Sequence, residues 1–139
     1  MQPLLVQLWN TMIVASLGAL IGALAIQFST RIVASFKPSY LMAFRAALLG
    51  SIVTSLICMA INASMEPPPA GQLDWIKIVL LALTGLTVYT AVIAPLIKHP
   101  EKGSIGFKKA ILVSVIQNIV MLFVMSLFAV IYLFTMKTR

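Results

Sequence analysis

The side chains that carry most enzyme chemistry are scarce in this chain of 139 residues. The sequence contains one His, one Cys and three acidic residues, namely His99, Cys58, Glu66, Asp74 and Glu101. Nucleophilic triads and metal sites need several such groups close together, and a bis-His haem site needs a second His. Cys58 lies in an apolar segment, where an inert thiol is expected. We therefore expect a non-catalytic protein without a metal or another cofactor.

The remaining candidate chemistry is a group of uncharged polar side chains in the last apolar stretch. The spacing of Ser114, Gln117 and Asn118 places them on one face of a helix. One interpretation is structural, because amides in lipid are costly unless bonded, and such interhelical bonds contribute about 0.6 kcal/mol each. The other is a pore or ligand pocket lined by this polar face. The pocket could add three threonines, Thr84, Thr87 and Thr90. We favour the structural interpretation.

The composition places these residues in a lipid bilayer. Apolar residues make up 61% of the chain and charged residues 9%, whereas soluble domains carry about a quarter charged residues. Four stretches reach the roughly 20 apolar residues that a transmembrane helix needs, at about residues 4–28, 40–62, 75–97 and 110–134. The stretches are continuous rather than alternating, which favours helices over barrel strands. We predict an all-α integral membrane protein with four transmembrane helices in one small bundle, residues 1–139.

The distribution of Lys and Arg predicts the orientation. One side of the membrane collects seven basic residues, Arg31, Lys37, Arg45, Lys98, Lys102, Lys108 and Lys109. The other side has three, Lys77, Lys137 and Arg139. Cytoplasmic loops carry an excess of basic residues. We therefore predict a multi-pass protein of the inner, cytoplasmic membrane with both termini outside the cytoplasm.

The basic residues also suggest contacts with membrane lipids. Five of them are expected near the headgroups, Arg31, Arg45, Lys98, Lys108 and Lys109. Each could add about 1 kcal/mol of attraction to an anionic leaflet. Arg45 lies inside the second span, and its long side chain can reach the headgroups. A gating or substrate-binding role for Arg45 is the alternative. The positive charge reflects topology and does not indicate nucleic acid.

Two patterns concern helix packing. Small residues recur every four positions, with Gly18 and Gly22 in the first span and Ala46, Gly50 and Thr54 in the second. Such stripes let helix backbones approach closely in lipid. We expect them to pack within the chain, which still leaves room for other membrane subunits or a second copy.

The end of the first span carries an amphipathic pattern. Gln27, Arg31 and Ser35 share one helical face, with aromatic and aliphatic residues near the other. We expect this helix to extend into the cytoplasmic interface. An ordinary helix end with one snorkelling Arg is the alternative.

The chain also shows weak internal repetition. An offset of 67 residues aligns the two helical hairpins, so that Arg31 matches Lys98 and Tyr40 matches Phe107. Both hairpins would then have the same orientation, related by a twofold axis along the membrane normal.

These observations support two hypotheses about function. The first is a non-catalytic subunit or scaffold of a larger membrane assembly, suggested by the missing chemistry and by helix faces suited to packing. The alternative is a small oligomeric channel or carrier whose pathway is lined by Ser114, Gln117 and Asn118.

The predicted orientation can be tested with single cysteines in a Cys58→Ser background. Cysteines at Gln72 and Ser104 should react with an impermeant thiol reagent from opposite sides of the membrane, with position 72 outside, because of the basic asymmetry. Labelling of position 72 only from the cytoplasm would invert the topology.

Overall fold

The computed structural model describes residues 2–65 and 74–137 and consists of four long helices. They are α1 (Gln2–Ala34), α2 (Tyr40–Ser64), α3 (Trp75–Leu96) and α4 (Phe107–Lys137). Two short antiparallel strands, β1 (Lys98–His99) and β2 (Gly103–Ser104), join α3 to α4. All four helices are long and apolar enough to cross a membrane. The chain is thus a multi-pass membrane protein, and the predicted all-α four-helix fold is confirmed. Glu66, Gln72 and Arg139 lie outside the described residues.

Local signals set several of the helix ends. The Ser39 hydroxyl accepts a hydrogen bond from the Met42 N–H at 3.3 Å, and the Asp74 carboxylate accepts one from the Lys77 N–H at 3.0 Å. Both are N-caps, which satisfy backbone donors that have no partner within the helix. α1 ends where Ser35 adopts a left-handed backbone with φ 57°, a conformation that cannot continue a right-handed helix.

The helices form a closed ring in chain order. α1 packs on α2 and α4, and α3 packs on the same two helices. The buried residues between α1 and α2 are mostly small, including Ala19, Ala23, Ala43, Ala46 and Ala47. Small side chains allow close packing in lipid, where burial from water does not drive helix association.

The ring has one strongly basic end, where α1 and α3 finish and α2 and α4 begin. We call it the basic end, and it carries Arg31, Lys37, Arg45, Lys98, Lys102, Lys108 and Lys109. The opposite part, which we call the distal half, comprises residues 2–14, 51–64, 75–84 and 118–137. None of the side chains described in the distal half is buried. The tightly packed core therefore lies entirely in the half nearer the basic end.

The burial pattern follows the 67-residue offset. Nine residues of the described part of the second hairpin are buried, and eight of them match a buried residue of the first. The pairs include Ile26 with Ile93, Ala43 with Ala110, and positions in the connecting loops as well as the helices. Helical periodicity alone does not align two helices and the loop between them. The two hairpins therefore contribute equivalent faces to the bundle.

A close contact joins α2 to α3 at the edge of this core. A Cβ atom added at Gly50 would lie 2.7 Å from Cε1 of the Tyr89 ring, a separation that requires the ring or the helices to shift. At Gly22 an added Cβ would lie 3.3 Å from the Ala47 Cβ, so α1 and α2 also approach closely. Gly18 differs, because an added Cβ there meets nothing within 4 Å.

The amphipathic pattern in α1 has a different outcome from the one expected. α1 does continue past Arg31 to Ala34. However, Gln27 does not share an exposed polar face with Arg31, because it is 8% exposed and its Nε2 donates to the Pro38 carbonyl at 2.8 Å. Ser35 lies beyond the helix. A buried amide needs a hydrogen-bond partner, and Gln27 finds it in the loop between α1 and α2, which this bond holds against α1.

The contact between Gly50 and Tyr89 predicts that a single added methyl group at position 50 lowers the stability of the protein. Gly50→Ala should lower the free energy of unfolding by roughly 1–2 kcal/mol, because overpacking of about 1–3 kcal/mol exceeds the gain of up to about 1 kcal/mol from alanine's helix propensity. Denaturant unfolding of the purified protein in detergent measures the difference.

Gly18→Ala is the matched control, because it adds the same methyl group where no atom lies within 4 Å. It should be neutral or slightly stabilising. Tyr89→Leu in the Gly50→Ala background should recover part of the loss. Equal stability of the two alanine variants would contradict the close α2–α3 contact.

Candidate functional site

The polar side chains of α4 lie against α3 inside the bundle. The Thr90 hydroxyl donates to the Ser114 hydroxyl at 3.1 Å, and both residues are buried. The Asn118 amide donates to the Ser114 backbone carbonyl at 2.8 Å within α4. The Ser114 side chain therefore forms a hydrogen bond between helices, whereas the Asn118 side chain bonds to its own helix and is half-buried.

Gln117 lies one turn from Ser114 and is nearly inaccessible. It is 2% exposed, and its side chain lies beside the Tyr89 phenol. Its Oε1 has no hydrogen-bond partner among the described residues. The same tyrosine ring thus contacts Gly50 on α2 and Gln117 on α4. Tyr89 links three of the four helices.

The three threonines suggested for a pocket do not line a common site. Thr84 and Thr87 each donate to a carbonyl of their own helix four residues earlier, Leu80 and Leu83, at 2.8 Å. Thr87 is also exposed. Of the three, only Thr90 meets the polar face of α4.

The small residues proposed for packing occupy three kinds of position. Ala46 is fully buried, and Gly22 and Gly50 lie at close approaches between helices. Thr54 is half-buried, and its methyl carbon would lie 3.9 Å from a Cβ added at Gly85. Gly18 is half-buried, and an added Cβ there would meet nothing within 4 Å. Within this chain, Gly18 makes no close approach that would require glycine.

The five residues proposed for headgroup contact are all exposed, but the structure separates them. Arg45 and Lys98 line one cavity of about 340 Å³ between the start of α2 and the end of α3. Lys109 lines a different cavity of about 90 Å³. Arg31 and Lys108 lie on the same basic end without lining either of these cavities.

The sequence reasoning did not single out some residues that matter at these sites. Tyr89 was one, although a lone tyrosine beside a threonine inside an apolar span signals a buried hydroxyl that needs a partner. His99 is another such residue. It lies on β1, its ring meets the Phe36 ring edge-on at 4.7 Å between centroids, and its Nδ1 accepts from the Glu101 N–H. The ring contact joins the two loops of the basic end.

The position of Gln117 predicts how a double substitution behaves. Gln117→Leu with Asn118→Leu should cost about 1 kcal/mol of bundle stability, because donors and acceptors are removed together. In a Cys58→Ser background, Gln117→Cys should resist small hydrophilic thiol reagents, while Ser104→Cys, at an exposed loop position, should react. Thiol mass labelling measures both.

Rapid labelling at positions 117 and 118 would instead indicate a water-filled pathway along this face, since a pore needs polar groups that replace hydration along its length. A double leucine variant that folds normally but loses solute flux would support the same conclusion.

The bundle has neutral hydrogen-bonding side chains in its core and basic side chains at one end. Within the described residues, no group of three His, Cys, Asp or Glu side chains lies together to hold a metal. Comparison of the chain with known protein families, curated proteins and solved structures finds no match.

Proposed function

We propose that this protein is a non-catalytic integral membrane subunit or scaffold of a larger assembly. It would lie in the inner, cytoplasmic membrane with its basic end in the cytoplasm and both termini outside. The observation that carries the proposal is the incomplete packing of the distal half. Its helices extend well beyond the last buried residue of the bundle, and their half-buried faces in this region are where we place the helices of another protein.

The small-residue stripe of α2 illustrates this incomplete packing. Ala46 and Gly50 are buried, Cys58 is half-buried, and Asn62 is exposed. One helix face thus passes from tight contact to open surface while its residues remain small or polar. Small and polar residues on such a face favour helix association in lipid over contact with acyl chains. This supports a partner helix in the distal half.

The buried polar residues favour the scaffold over the channel. Ser114 has no exposed surface and Gln117 is 2% exposed, so neither side chain is available to line a pathway between copies of the chain. The bond of Ser114 to Thr90 and the position of Gln117 beside Tyr89 favour a structural role within the bundle. A channel or carrier remains the alternative function, and it would require the bundle to open along α4.

The proposal predicts that the protein purifies in a mild detergent as a discrete complex with other membrane proteins. Native mass measurement identifies the chains present. Cys58→Phe should reduce the amount of recovered partner at least tenfold. The added ring would occupy the distal face, and closely packed helices do not tolerate such an increase in side-chain volume. Helical circular dichroism should be unchanged.

Leu56→Phe is the matched control, since Leu56 lies two residues away on α2 and is 48% exposed. It should retain the partner. Equal recovery with both variants would contradict a distal interface. A homo-oligomer that conducts a solute in liposomes would replace the proposal with the channel.

A further inference from the structure

A groove at the basic end separates the start of α2 from the end of α3. Two adjoining cavities of about 340 and 560 Å³ form it, and both are lined by Ser39, Met42 and Lys98. We call their union the α2–α3 groove. It begins beside the loops of the basic end and continues along the membrane-facing sides of the two helices.

The groove concentrates positive charge without a compensating acid. Lys37, Arg45 and Lys98 line it, and no acidic residue is among its lining residues. In the part of the chain that the structure describes, Arg45 takes part in no hydrogen bond or ion pair. The only acidic residue in the loops of this end is Glu101. Three cations, one each from the α1–α2 loop, α2 and β1, therefore line a space that has no acidic residue in its lining.

Several residues that line the groove are held in place by contacts of their own. The Gln27 side chain holds the Pro38 carbonyl, and the ring of Phe36 meets that of His99. Pairing of Lys98 with Ser104 fixes the other loop. Binding an ion in a preorganised site avoids the cost of ordering loops.

The depth of the groove distinguishes a lipid from a soluble anion. Arg45 lies five residues inside α2, which corresponds to about 8 Å along the helix axis. Leu41 and Leu96 line the same cavity, and Leu41 is 57% exposed. A soluble anion gains nothing from these apolar walls, whereas an acyl chain packs against them. Basic pockets between transmembrane helices are the usual sites for anionic headgroups.

We propose that the α2–α3 groove is a specific binding site for one anionic phospholipid. Arg45, Lys98 and Lys37 hold the phosphate, and an acyl chain runs along Leu41 and Leu96. This inference does not depend on the subunit role, because a monomer would bind the lipid equally well.

The equivalent place in the other hairpin provides an internal comparison. The 67-residue offset puts Arg31 where the groove has Lys98, and Lys108 and Lys109 where it has Leu41 and Met42. This place is also strongly basic. Lys109 lines a cavity of about 90 Å³ with Ala34 and Ser104, and neither Arg31 nor Lys108 contributes to it. Arg31 and Lys108 therefore supply equivalent basic residues outside the α2–α3 groove.

Lipid titration with native mass spectrometry tests the proposal on the full chain in detergent. The wild type should retain one phosphatidylglycerol per chain in preference to phosphatidylcholine with the same acyl chains. Arg45→Gln with Lys98→Gln should weaken retention roughly 25-fold, at about fivefold per charge. Arg31→Gln with Lys108→Gln removes the same charge outside the groove and should change retention less than fivefold.

A second pair of variants keeps every charge. Leu41→Trp should block the groove and abolish retention, while Leu49→Trp, at an exposed α2 position outside the groove, should not. Equal losses in the two charge variants would show delocalised attraction and overturn the site. Retention by Leu41→Trp, equal retention of phosphatidylcholine, or displacement by soluble glycerol phosphate at matched concentration would overturn it as well.

Discussion

The contact between the Tyr89 ring and the backbone of Gly50 sets the spacing on which the bundle depends. Gly50 supplies the room that the ring occupies, and the phenol then reaches Gln117 on α4. By the 67-residue offset, Tyr89 corresponds to Gly22 and Gln117 corresponds to Gly50. One hairpin therefore has two glycines where the other has two large polar residues. The Tyr89 ring fills space that Gly50 leaves, whereas Gly22 approaches Ala47 of its own hairpin, so the two hairpins are not interchangeable.

The level of the Gly50–Tyr89 contact divides the molecule into two parts that differ in how tightly their helices pack. Towards the basic end, the helices are packed through alanines and isoleucines, and buried amides and hydroxyls bond to neighbouring groups. Away from it, none of the described side chains is buried. Packing in lipid depends on close contact rather than on exclusion of water. Helix segments that lack such contact are the natural surface for a partner, while the rigid part can hold a headgroup at a fixed depth.

Local properties of the sequence determined the architecture. Continuous apolar stretches predict four helices, and the predicted starts of the second and third, at residues 40 and 75, coincide with the starts of α2 and α3. The excess of Lys and Arg identifies one end of the bundle as basic. The offset between the hairpins is also visible, although biased composition makes it weak until burial is known. Each of these signals is a property of a short segment and its immediate neighbours, so no knowledge of packing is needed.

Only the tertiary structure decided which residues meet. Gly18 and Gly50 look alike in sequence, yet one faces open space and the other a tyrosine ring. Arg45 and Lys98 share a groove, whereas Arg31, equally basic, does not line it. Such pairings depend on the rotation of each helix about its axis, which is set by residues distant in the chain. In a soluble protein hydropathy reveals that rotation, because one face is polar. In lipid both faces are apolar, so the sequence by itself leaves the rotation open.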